Sequence, residues 1–257
     1  MIDLHSHILP GIDDGPADQE GSLALARAAV ASGTVAMVAT PHVSWHYPAN
    51  TAARIAEGVA DLRVVLAREE IPLRLHTGAE IAMTRAAELS EDELVALRLG
   101  GPEGTHLLVE CPLSTTAAGF DALLALLRAR GHEILLAHPE RCPAFQRDPS
   151  AYERLIAQGM LGQVTAGSLV GRFGRSVQQF GDRLLRDGLA QVVASDTHSA
   201  EQRPPSIRPE LMKAGYGAQA EWLAHDVPHA VLTGTPVPVA PPMPRPKRSG
   251  VARLLGR

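Results

Sequence analysis

Aromatic side chains are scarce in this chain: Phe, Tyr and Trp make up 4% of its 257 residues. Its core must therefore be built from Leu, Val, Ile and Ala. Cysteine is scarcer still, with only Cys111 and Cys142. That excludes a disulfide framework and makes a reducing cytoplasm the expected compartment. Basic charge shows no excess, since 24 Lys and Arg face 28 Asp and Glu for a net charge of −4. A general nucleic-acid binder needs a basic surface and is disfavoured. No apolar run approaches the roughly 18 residues of a membrane-spanning helix. The start of the chain lacks the basic-then-apolar arrangement of a secretory signal, so none is expected.

What is present is the composition of a soluble globular protein, 45% hydrophobic and 20% charged. The length suits one α/β barrel or two small domains. Seven short apolar runs recur: Met1–His5, Val35–Thr40, Leu73–Thr77, His106–Glu110, Glu133–Ala137, Leu161–Thr165 and Gln191–Ser195. Most lack polar alternation, as parallel strands covered on both faces do. The segments between them have helical spacing. Ile55, Val59, Leu62, Val65 and Leu66 form one stripe, Phe120, Leu123, Leu124 and Leu127 a second, and Val177, Phe180, Leu184 and Leu185 a third. Gly33, Gly131, Gly159 and Gly188 stand where helix C-caps are expected. Alternating strands and helices define an α/β class, with seven βα units suggesting a barrel and an open doubly wound sheet as the alternative.

From Pro236 the composition changes. Six prolines crowd residues 236–246, followed by Lys247, Arg248, Arg253 and Arg257. This predicts a domain over 1–235 and an extended, flexible tail over 236–257. The tail either has no role or tethers the chain to an acidic partner or membrane surface.

The chemistry sits at the strand ends. His5 and His7 close the first run, and residues two apart in an extended segment point to the same side. Asp14 follows in a Pro-Gly and Asp-Asp-Gly turn. Later runs end in His42, Glu80, Glu110, His138 with Arg141, and Asp196 with His198. The C-terminal ends of barrel strands open on one face, so these nine ligand-type side chains should converge. The other histidines (His46, His76, His106, His132, His225, His229) lack that placement. Imidazole and carboxylate without thiolate fit Mn²⁺, Fe or Zn²⁺ in a hydrolytic site. Nine ligands exceed one ion, so two or three ions are expected, bridged by a carboxylate such as Glu80, with a water activated between them. Arg141 and Arg203 are placed to hold phosphoryl oxygens, or else form surface ion pairs. Trp45 and Tyr47, in the loop after His42, can flank an aryl ring or simply pin that loop.

These motifs resemble a known family. His5-x-His7, Thr-Pro-His42, Glu80, His138-Pro and Asp196-x-His198 are similar to the pattern of the PHP (polymerase and histidinol phosphatase) superfamily. Residues 7–15, 39–42, 137–141, 167–174 and 194–198, with Arg203-Pro-Pro, resemble its bacterial tyrosine-protein phosphatase branch, of the CpsB/YwqE type. The resemblance covers residue 1 to about residue 235 and omits the tail. It implies a distorted (β/α)7 TIM-like barrel with three metal ions. The first ion would take His5, His7, Glu80 and Asp196, the second Glu80, Glu110 and His138, and the third Asp14, His42 and His198. It also implies hydrolysis of phosphotyrosine on a bacterial tyrosine kinase that controls capsule and exopolysaccharide export, in the cytoplasm or peripheral to the inner membrane face. A phosphatase of a small ester such as histidinol phosphate, a nuclease and a non-catalytic metal-binding scaffold are the alternatives. Net charge disfavours the nuclease, and the complete ligand set disfavours the scaffold. A cysteine mechanism would need Cys-x5-Arg; Arg147 falls one residue short after Cys142, and Cys111 has no arginine at that distance.

Overall fold

The structure, a computed structural model, describes residues 1–244. Its strands are β1 (Ile2–Ser6), β2 (Ala36–Ala39), β3 (His42–Val43), β4 (Arg74–Thr77), β5 (Glu80–Ile81), β6 (His106–Glu110), β7 (Glu133–Ala137), β8 (Leu161–Thr165) and β9 (Val192–Ala194). Every apolar run read from the sequence forms one of them. Two runs continue further than expected after a break. Thr40-Pro41 separates β2 from β3, and Gly78-Ala79 separates β4 from β5. A proline cannot donate to a ladder, which accounts for the first interruption.

All pairings are parallel. β1, β2 and β4 form one ladder, and β3, β5, β6, β7, β8 and β9 form the other. The broken second and third staves belong to both, so stave order follows chain order. The first and last staves meet without a regular ladder. One parallel bridge joins Ser6 and Thr197, the Asp196 N–H donates to the His5 carbonyl at 3.0 Å, and the His7 N–H donates to Thr197 at 2.9 Å. The buried Asp3 carboxylate braces this seam by accepting from the Ser195 N–H and hydroxyl. The result is the expected distorted seven-stave barrel.

Helices cover the outside. In Ala52–Arg68 the residues Ile55, Val59, Leu62 and Leu66 are buried, and in Phe120–Ala129 the whole predicted stripe is buried. Gly131 ends the second of these helices at φ +85°, where a side chain would be strained. Ile134, Leu135 and Leu136 of β7 are completely covered. Each fully buried aliphatic side chain of this core contributes about 1.5–3 kcal/mol to the fold.

Beyond Thr235 the described chain forms no helix or strand. The Trp222 indole donates to the Pro238 carbonyl at 3.0 Å, the Gln219 amide donates to the Pro242 carbonyl at 2.6 Å, and Met243 packs on the core. The basic end, with the mobility and membrane contact expected of it, lies outside the described residues. No described helix is long and apolar enough to cross a membrane.

Candidate metal centre

The stave ends deliver the nine side chains to one place. His5 is in β1 and His7 lies just past it; His42 opens β3, Glu80 opens β5 and Glu110 closes β6. His138 follows β7, Asp196 and His198 follow β9, and Asp14 comes from the turn after β1. Their ligand atoms form four overlapping groups, each within 4.8 Å: His5, Glu80 and His138; His5, His7 and Asp196; His42, Glu80 and Glu110; and His7, Asp14, His42 and His198. The resemblance pairs Glu110 with His138; the geometry stands it beside Glu80 and His42. Glu80 is the hub. Its Oε2 lies 3.3 Å from His5, 3.5 Å from His7 and 3.0 Å from His42, while Oε1 lies 2.7 Å from His138.

Neighbouring groups orient the imidazoles. His7 Nδ1 meets the Asp13 carboxylate at 2.7 Å, and His5 Nδ1 meets Gln163 Oε1 at 2.8 Å. Each Nδ1 faces an acceptor, so it carries the hydrogen, and Nε2 is turned inward. The two Nε2 atoms face each other at 3.3 Å. Asp196 Oδ1 stands 3.5 Å from His5 and 3.6 Å from His7. Two ring nitrogens and two carboxylates aimed at one point demand positive charge there. Among protein groups a proton supplies it. Burial opposes the charged form of His7, but hydrogen bonds to Asp13 and Glu80 push its pKa up to about 10. A divalent cation meets the same demand, and its binding should release protons. The donor set therefore fits the implied metal.

Other shifts follow from the crowding of charge. Burial disfavours ionised Glu80, yet His5 and His138 hold its carboxyl well below the usual range. Glu110 moves the other way, to about 7, through burial and the adjacent Glu80 charge. Burial and then Arg141 lower His138 to about 4. Two backbone positions are also costly. His138 has φ +35° and Asp196 φ +51°, two of the three described non-glycine residues with positive φ. Such strain concentrates where side-chain direction matters.

Asp196 divides its carboxylate. Oδ1 faces the imidazoles, while Oδ2 accepts from Arg141 and Arg203, each at 2.5 Å. Burial works against the charge, but His5 and the two arginines keep this carboxyl below its ordinary range. Both arginines thus reach the site. Tyr47 stacks on His42, with ring centroids 5.8 Å apart and planes within 2°. Trp45 is 56% exposed, and the Arg85 guanidinium lies 4.7 Å from its ring centroid. Together with Met83, Glu110 and Leu113 these aromatics line a groove of about 740 Å³ beside the cluster.

The sequence alone does not single out Asp13 or Gln163 for this site. A polar residue within the apolar run Leu-Gly-Gln-Val-Thr was the available signal for Gln163. Nothing in the sequence distinguished the role of Asp13 from that of its neighbour Asp14. Both cysteines are free and buried, and burial pushes their thiols up, away from the nucleophilic thiolate. A Cys111→Ala, Cys142→Ala double variant should keep most aryl-phosphatase activity in a steady-state assay. Loss of activity with the fold intact would point to a thiol mechanism.

A parallel β/α barrel with imidazoles and carboxylates gathered at its stave ends is the scaffold of a metal-site barrel protein. A crystal structure of D-hydantoinase shares that fold, with a TM-score of 0.51 at 11% identity over 91% of this chain and 73% of that one. The chain belongs to the CpsB/CapC family of capsular polysaccharide synthesis, whose model matches residues 1–231. It is 31% identical to the tyrosine-protein phosphatase YwqE of Bacillus subtilis, over 96% of this chain and 98% of the relative. It is 27% identical to the tyrosine-protein phosphatase CpsB of Streptococcus pneumoniae, over 90% and 98%. A crystal structure from work on YwqE and CpsB, described as unique metal-dependent tyrosine phosphatases, superposes with a TM-score of 0.82 at 30% identity, covering 96% of this chain and all of that one.

Proposed function

We propose that the chain is a metal-dependent protein-tyrosine phosphatase. One juxtaposition carries this: a carboxylate hub, Glu80, shared by four imidazoles, beside a second carboxylate, Asp196, that two arginines clasp from its other oxygen. In this reading His5, His7, Glu80 and Asp196 hold one divalent ion, Glu80 with His138 and Glu110 a second, and Asp14, His42 and His198 a third. The donors suit Mn²⁺, with Fe or Zn²⁺ accepting the same set. Bound ions of this kind supply Lewis acidity and lower the pKa of water. Arg141 and Arg203 hold the equatorial phosphoryl oxygens, where charge develops in an in-line displacement. Asp13 and Gln163 fix the tautomers of His7 and His5. Tyr47 and Trp45 receive the aryl ring in the groove that Glu110 borders.

The substrate in this reading is phosphotyrosine on a bacterial tyrosine kinase that governs capsule or exopolysaccharide synthesis, met on the cytoplasmic side. The family's association with capsular polysaccharide synthesis supports that assignment. Residues 1–235 form the catalytic unit and 236–257 an appended tail. Comparing a phosphotyrosine peptide, a phosphoserine peptide and histidinol phosphate as substrates tests the reading. The phosphotyrosine peptide should lead in kcat/KM. Trp45→Ala and Tyr47→Ala should each lower that value roughly 3- to 10-fold, the scale of an aromatic stacking contact. Preferred turnover of histidinol phosphate would displace tyrosine as the target.

A further inference from the structure

We propose that Phe173 is a positioning residue for the two arginines, its ring a platform on which Arg141 and Arg203 lie side by side, with Arg172 anchoring the loop that carries it. This rests on the phosphatase reading above. The Arg141 guanidinium carbon lies 4.7 Å from the Phe173 ring centroid and that of Arg203 5.7 Å. The chain has four phenylalanines, and the other three, Phe120, Phe145 and Phe180, are buried in the core. Phe173 alone is left partly exposed, in a loop, against charged side chains.

The platform solves a specific problem. Two guanidiniums meet at one oxygen of Asp196, each at 2.5 Å. One carboxylate charge cannot neutralise both, and its other oxygen faces the imidazoles. An aromatic face attracts a guanidinium through its quadrupole and uses none of its N–H donors. It therefore holds both arginines close together while leaving donors for phosphoryl oxygens, and the buried Arg203 Nε–H has no partner among the described residues. Preorganised donors of this kind act where charge develops.

The loop is built to hold the ring in place. Gly171 and Gly174 bracket it at φ +88° and +92°. The Arg172 N–H donates to the Gly167 carbonyl at 3.0 Å, and its guanidinium pairs with Glu210 at 2.5 Å and donates to the Gln202 carbonyl at 3.1 Å. A β-carbon on Gly167 would stand 2.7 Å from Arg172 Nε, so glycine there leaves room for the anchor. Gln202 precedes Arg203, so the same guanidinium braces the segment from which Arg203 extends.

Phe173→Leu keeps the apolar volume and removes the ring face; Phe173→Tyr keeps the face. In full-length, Mn²⁺-loaded protein, inorganic phosphate is the probe, followed by calorimetry and by competition with p-nitrophenyl phosphate. Phe173→Leu should weaken phosphate binding about tenfold, the scale of a partly desolvated cation–π contact, and lower kcat/KM by a similar factor. Phe173→Tyr should restore both, with metal content and Tm unchanged throughout. The Phe173→Leu penalty should shrink in an Arg141→Ala background, because the ring acts through the arginines. Wild-type phosphate affinity in Phe173→Leu, or an undiminished penalty in the Arg141→Ala background, would overturn the proposal. So would failure of the wild-type protein to bind phosphate. If phosphotyrosine proves not to be the substrate, the calorimetric comparison still decides the role of Phe173.

Discussion

Replacing Glu80 by glutamine should lower phosphotyrosine turnover by more than about 10³-fold, since removing a single donor of transition-state stabilisation already costs 10²–10³. Glu80 is completely buried and within 3.5 Å of His5, His7, His42 and His138. It belongs to two of the four ligand groups. A neutral amide of the same shape keeps the volume and loses the charge that offsets repulsion between neighbouring cations. It also turns one acceptor into a donor facing imidazole nitrogens. Elemental analysis should find at least one ion fewer per chain in Glu80→Gln. The protein should still melt cooperatively, because the aliphatic core is separate from the stave ends. Wild-type metal content and turnover in Glu80→Gln would remove Glu80 from the centre.

Asp196→Asn should be nearly as damaging, and more so than loss of either arginine. Its two oxygens serve different groups: Oδ1 faces His5 and His7, and Oδ2 takes both Arg141 and Arg203. An asparagine oriented to serve the imidazoles places an amide donor against two guanidiniums; the opposite orientation fails the ligand side. Arg141→Ala alone removes one oxyanion donor, worth about 10²–10³ in rate, and leaves the ligand ring complete. The comparison of kcat and bound metal across the two variants is the check. Asp196→Asn should lose both, Arg141→Ala only kcat. Equal effects on metal content would show that the arginine also supports the ligand ring.

The fold was legible because strands covered on both faces read as apolar runs, and each run from Met1–His5 to Gln191–Ser195 contains a strand. The short continuations β3 and β5 were not, because Thr40-Pro41 and Gly78-Ala79 look like ends. The nine ligand-type side chains were legible as polar residues at the ends of apolar runs. What orients them was hidden. Asp13 and Asp14 are adjacent and identical in type, yet one binds His7 Nδ1 and the other faces His42 and His198. Turn geometry makes that choice, and it depends on a close approach at Gly15, where a β-carbon would stand 2.1 Å from the His7 carbonyl oxygen. Phe173 stood inside a recognisable motif, but only the fold reveals that Arg141 and Arg203, sixty-two residues apart in the chain, share its ring.

The central claim is that this ring of imidazoles and carboxylates hydrolyses phosphotyrosine with metal. The direct measurement is hydrolysis of a phosphotyrosine peptide by chelator-stripped protein as Mn²⁺ is titrated back. Activity should be absent after stripping and should return in step with the binding of two or three ions per chain. Full activity in the stripped protein, or none after stoichiometric reloading of a folded chain, would contradict the account.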